Sequence, residues 1–155
     1  MSVNLEWYVE PHVCIVRCPD RWQWSELYES LAAASDIADS VAPIRVDTIL
    51  DIKHSQMVPE GPIITHLRNS ILRSRPNHGI TVIVGADRVV KSFVSMFDKV
   101  YPAMANRYRL ADDTDEAMAI IHLHRELQAN ADLRPDETIP HRAMLSIPAS
   151  RQTRR

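Results

Sequence analysis

The stretch Ile49–Ile63, "ILDIKHSQMVPEGPI", begins as a strand, breaks over a polar turn, and restarts through Pro-Glu-Gly-Pro into an apolar-periodic run that continues as a helix. A helix N-terminus carries unpaired N–H groups and partial positive charge, so a strand-turn-helix junction suits an anion or the acidic group of a partner. This junction already contains a carboxylate of its own, Glu60. Asp51, close to the strand end, is expected to accept N–H groups from the turn that follows it, a common use of Asp at such positions.

Upstream, "LEWYV" (Leu5–Val9) and "VCIVRC" (Val13–Cys18) have the β-branched and aromatic content of strands, and the "EPH" between them is short enough for a hairpin. Trp24, Leu27, Tyr28, Leu31, Ala34 and Ala38 then recur at helical spacing, with Ser25 as the expected cap and an end near Pro43. "RVDTILDI" (Arg45–Ile52) is nearly continuous in apolar residues after Asp47, as in a buried parallel strand.

Downstream, Ile63, Ile64, Leu67 and Ile71 mark a helix face, with His66 directed elsewhere and "RPNHG" (Arg75–Gly79) as a stop signal. "ITVIVG" (Ile80–Gly85) is a strand, followed by Val89, Val90, Phe93, Val94, Phe97 and Val100 at helical spacing up to Pro102. "RYRL" (Arg107–Leu110) predicts a short strand, and Asp113 with Glu116 a capping-box start for a helix through Leu127. The order implies an α/β fold: a mixed sheet of about five strands, with an opening antiparallel hairpin and parallel strand-helix units joined by right-handed crossovers. One domain covers residues 1–128, and residues 129–155, with three Pro and an Arg-rich end, form a flexible or loosely docked basic tail.

A chain of 155 residues, 45% hydrophobic and 25% charged, has the balance of one globular core. Its formal charge of −2 gives no basis for nucleic-acid binding. That average hides an asymmetry: from Arg134 onward five Arg face only Asp136 and Glu137, so this end is basic while the body is acidic. No apolar run approaches a membrane span and the opening residues lack the features of a signal peptide, which points to a cytoplasmic protein.

With three Gly in the chain there is neither a Gly-rich dinucleotide fingerprint nor a phosphate loop. Cys14 and Cys18 lie about 13 Å apart along a regular strand, too far to bridge, and His12 alone does not complete a metal set, so both are expected as buried or half-buried thiols. The seven His are scattered. His54 and His66 could approach each other across the turn, and Ser55 sits beside His54 but without a G-x-S-x-G elbow. No cofactor or metal is implied. Of the paired indoles, Trp24 belongs to the helix stripe and the core, which leaves Trp22 as the ring available to a partner.

The hairpin and helix opening, the "ILDI" strand with its polar turn and apolar helix, "ITVIVG", and the late "LADDTDEAMAII" together resemble a STAS domain, the fold of sulfate-transporter tails and anti-sigma-factor antagonists, over roughly residues 5–128. In the phosphoregulated members, the loop after this strand ends in an Asp-Ser pair whose Ser is phosphorylated by the partner kinase. Aligning the "ILDI" strands without gaps places Pro59 and Glu60 on those positions. The resemblance thus implies either a fixed negative charge where the family has a switchable one, or a first-turn carboxylate that only favours the helix start.

The function implied is a non-enzymatic, STAS-like regulatory module that contacts a protein partner through Lys53, His54, Ser55, Gln56, Glu60 and Gly61. A second reading is a small-molecule-binding or enzymatic domain using the sheet edge near Gly85, Asp87 and His54, and a third is a structural homodimer.

Overall fold

The computed structural model describes residues 2–133. In chain order it comprises β1 (Asn4–Val9), β2 (Val13–Arg17), α1 (Trp24–Val41), β3 (Val46–Asp51), α2 (Ile63–Leu72), β4 (His78–Val84), α3 (Arg88–Val100), β5 (Tyr108–Ala111) and α4 (Thr114–Asp132). A 3-10 turn, Pro102–Arg107, leads into β5. The strands form one five-stranded sheet in the order β1-β2-β3-β4-β5, antiparallel between β1 and β2 and parallel elsewhere. This is the mixed α/β architecture expected from the alternation of strand and helix periods.

The strand order never reverses, so right-handed crossovers carry α1, α2 and α3 to the same face of the sheet. On that face Val16 and Ile83 meet Leu27 of α1 and Val90, Val94 and Phe97 of α3, with Ile64, Leu67 and Ile71 of α2 packed alongside. Alternate strand residues Val13, Ile15, Ile49 and Val82 face the other way, onto Ala117 and Ile121 of α4. Open α/β sheets form their ligand crevice where successive crossovers diverge to opposite faces. A sheet built in one direction has no such point.

The chain divides into two compact units, with the boundary after Leu123 inside α4. Beyond it the helix continues past the expected end at Leu127 to Asp132, through Ala129 and Ala131, both strong helix formers. Most of the expected basic tail, residues 134–155, lies outside the described residues.

Two end signals read differently in three dimensions. Gln23, not Ser25, occupies the N-cap of α1, and its backbone N–H donates to the Glu26 carboxylate at 2.7 Å. His78 and Gly79, expected as part of a stop, instead open β4. Register between β3 and β4 slips between Val46 and Thr48, which takes the Ile80 N–H out of the regular ladder. The fully buried Asp47 carboxylate accepts that N–H at 2.8 Å and pairs with Arg45 at 2.7 Å. It fills the space above Gly79, where a Cβ would stand 1.9 Å from Asp47 Oδ1. The glycine is required there by proximity, not by its backbone angle.

Other local readings hold. Asp51 Oδ1 accepts the Lys53 N–H at 3.0 Å, and Asp113 Oδ1 accepts the Glu116 N–H at 2.8 Å. Cys14 and Cys18 are buried free thiols. Burial, reinforced by the charges of Asp51 and Glu26, pushes the Cys18 thiol up to about 12, and burial raises Cys14 as well. Both remain protonated and unreactive at neutral pH.

Candidate functional site: the turn after the third strand

The turn leaves β3 at the carboxyl end of the parallel strands and is fastened to the loop that follows β2. Gln56 N–H donates to Asp20 C=O at 3.1 Å, and Ser55 N–H closes a local turn on Ile52 C=O at 3.0 Å. Two indoles hold the turn from beneath. Trp22 Nε1–H donates to Ser55 Oγ at 2.8 Å, and the Ser55 hydroxyl in turn donates a hydrogen bond to Met57 C=O at 3.1 Å. Trp24 Nε1–H is shared between Pro59 C=O at 3.2 Å and Glu60 C=O at 3.1 Å.

The indoles exchange their expected roles. Trp22 is 6% exposed and belongs to the core, while Trp24 is only half-buried. The reason is the turn itself: its carbonyls and hydroxyl give both N–H groups acceptors, so the Trp22 ring can be buried without leaving its polar edge unpaired. The two rings meet edge-to-face with centroids 5.1 Å apart.

His66, expected to point away, instead faces α1. Its ring stacks on Trp24 at 4.0 Å with planes 16° apart, and its Nδ1 shares a hydrogen bond with the Tyr28 hydroxyl. Partial burial lowers its pKa below the usual range for histidine. His54 is exposed, and no hydrogen bond or ring contact joins it to His66, whose partners are Trp24 and Tyr28. Gly61 passes directly over this stack with φ +140°, and a Cβ there would stand 3.2 Å from Trp24 Nε1 and 3.3 Å from His66 Nε2. The backbone angle is one that favours glycine, and the close approach leaves little room for a Cβ.

Glu60 is not a first-turn helix residue. Helix α2 begins at Ile63 with Pro62 at its N-cap and no acidic residue in its first turn, because the chain bends at Glu60 and Gly61, outside helical geometry, before the helix starts. The Glu60 backbone is held by Trp24, while its carboxylate is exposed and has no hydrogen bond or ion pair to another described residue. Lys53, His54, Gln56 and Gly61 are exposed as well, and Met57 is 74% exposed. Ser55 differs from the other expected contact residues: it is half-buried, and its hydroxyl is engaged as both acceptor and donor. Beside the turn lies an open groove of about 440 Å³ bordered by Asp20, Arg21, Gln23, Gln56, Met57 and Glu60.

The alternative site at the sheet edge is occupied by local structure. Gly85 has φ +79°, and a Cβ there would land 2.5 Å from Lys53 Cα, so this glycine serves the close passage of two loops. Asp87 caps α3, with Oδ1 accepting the Val90 N–H at 2.9 Å. Among the described residues no three His, Cys, Asp or Glu side chains gather as metal ligands, and no helix is long and apolar enough to cross a membrane.

No protein-family model, curated protein or solved structure matches the chain.

Proposed function

We propose that this chain is a non-enzymatic, STAS-like regulatory module of the cytoplasm that meets a protein partner through the turn Lys53–Gly61 and the groove beside it. One observation carries this reading: the turn is fastened by both indole N–H groups, Trp22 on the Ser55 hydroxyl and Trp24 on the Pro59 and Glu60 carbonyls, while Lys53, His54, Gln56, Met57 and Glu60 present exposed side chains. A surface already ordered in the free protein avoids part of the entropy loss that binding imposes on mobile loops. Met57 supplies an adaptable apolar contact within a polar rim, an arrangement suited to a protein surface.

Glu60 is the exposed acidic side chain of the turn, beside the basic Lys53. By the resemblance, this position carries a phosphorylatable Ser in the phosphoregulated relatives; here its charge is permanent, so the contact requires no kinase. Ser55, the nearby hydroxyl, is engaged by Trp22 and Met57 and is poorly placed to become a phosphate acceptor. The same engagement argues against Ser55 as a nucleophile, since no base among the described residues hydrogen-bonds it.

Photo-crosslinking tests this contact. A photoreactive residue replacing Met57 in the full chain, in the cells that make it, should give one discrete protein adduct. The same residue replacing exposed Glu10, in the turn between β1 and β2 at the opposite end of the sheet, should give none. Absence of an adduct at position 57, or equal adducts at both positions, contradicts the proposal.

A further inference from the structure

A second cavity lies away from the turn, on the helical face of the sheet. Helix α2 leans on α3, and the small side chains of Ala34, Ser35 and Ser70 leave a gap between α2 and α1. The gap encloses about 420 Å³, within the usual size range of small-molecule sites. Its floor is polar where the surrounding core is not: Thr48, His78 and Thr81 project from β3 and β4, while Ala34, Ala38 and Ile71 form apolar walls.

The floor groups differ in availability. His78 Nε2 and Thr48 Oγ1 bond each other at 3.1 Å, but no hydrogen bond to a described residue engages the Thr81 hydroxyl. Ser35 and Ser70 donate to backbone carbonyls of their own helices, and Ser74, just past α2, donates to Ser70 C=O; Ser70 is also hydrogen-bonded to the Tyr108 side chain, which leaves the oxygens of Ser35 and Ser74 able to accept. At the rim, the Arg73 guanidinium rests over the Tyr28 ring, 4.9 Å from its centroid, and has no carboxylate partner among the described residues. Arg75, also lining the gap, is already paired with Asp39 at 3.1 Å.

From this arrangement we infer that the cleft between α1 and α2 binds a small amphipathic monocarboxylate, its acid group on Arg73 and its apolar body against Ala34, Ala38 and Ile71. A planar guanidinium with free donors matches a carboxylate in two-point geometry. Asp36 on the same lining and the carbonyl end of α2 oppose negative charge in proportion to its size, so a singly charged acid is favoured over a doubly charged phosphate. The site is independent of the partner-binding turn and does not depend on that assignment.

Titration of the ¹⁵N-labelled full chain with hexanoate provides the test. Saturable shifts are expected at the amides of Thr48, Ser70, Ser74 and Thr81, with a Kd of about 1 mM, the range that burial of a few methylenes gives. Inorganic phosphate and hexylamine should produce no saturable shifts there. Arg73→Gln should weaken hexanoate at least tenfold at unchanged melting temperature, and Ser35→Leu, which fills the gap, should abolish the shifts. The inference is overturned if hexanoate does not saturate these amides, if phosphate or hexylamine does so equally, or if either folded variant binds hexanoate like the parent. Should Arg73→Gln not fold, Ser35→Leu decides alone.

Discussion

Asp47→Ala should lower the stability of the chain by about 3–5 kcal/mol, the usual cost of removing one partner from a buried ion pair. The carboxylate is fully buried between β3 and β4, where it holds Arg45 and accepts the Ile80 N–H that the register slip leaves without a ladder partner. Its removal therefore leaves a buried N–H and a partly buried guanidinium with fewer acceptors, besides a gap above Gly79. In a domain of this size the melting temperature should fall by about 10–20 °C. Asp47→Asn keeps an acceptor for the N–H and should lose less. A fall of under about 2 °C for Asp47→Ala would show that the slip is stabilised by other contacts.

The second large effect is a dependence of stability on pH carried by His78. Its pKa is pushed down to about 4, first by burial and then by the nearby Arg107 guanidinium, with Arg45 acting in the same direction and Asp47 opposing. Arg107 has only donors, so its contact with His78 Nδ1 at 3.5 Å assigns the ring proton to Nε2, which donates to Thr48. In the unfolded chain the same group titrates near 6.5. Between these values the unfolded state binds more protons than the folded state, so stability falls as the medium is acidified. The contribution of His78 is complete above about pH 6.5 and lost as pH drops to about 4, a change on the order of 3 kcal/mol. His78→Gln offers the Arg107 acceptor and the Thr48 donor without titrating. Chemical denaturation at pH 7 and pH 4.5 should show the variant losing about 2–3 kcal/mol less than the parent. Equal losses would mean that carboxylates, not His78, govern the acid limb.

The order of strands and helices was legible because each element carries its own period: alternate residues along β2 and β4 serve two faces, and α3 repeats its apolar stripe at helical spacing. Asp51 and the Asp113–Glu116 cap were legible for the same reason, since donor and acceptor lie within four residues of each other. What escaped was tertiary. Nothing beside Trp22 in the chain announces Ser55 as its acceptor, and nothing beside Trp24 announces the Pro59 and Glu60 carbonyls or the His66 ring. Gly79 looked like turn chemistry because its true constraint, the Asp47 carboxylate, comes from the neighbouring strand. The surface position of Glu60 was readable, but its place ahead of the helix depended on where Pro62 lets α2 begin.

That place makes Glu60 the most direct test of the proposed function. Its carboxylate supports no described residue, so Glu60→Gln should melt within about 1 °C of the parent. With the protein captured at position 57 as the binding partner, the measurement is the Kd of parent and Glu60→Gln at low and high salt, alongside their melting temperatures. Binding about 3–10-fold weaker is expected for the variant at low salt, narrowing as salt screens the contact. Equal affinity at low salt, with melting unchanged, would contradict a partner contact made by the Glu60 carboxylate.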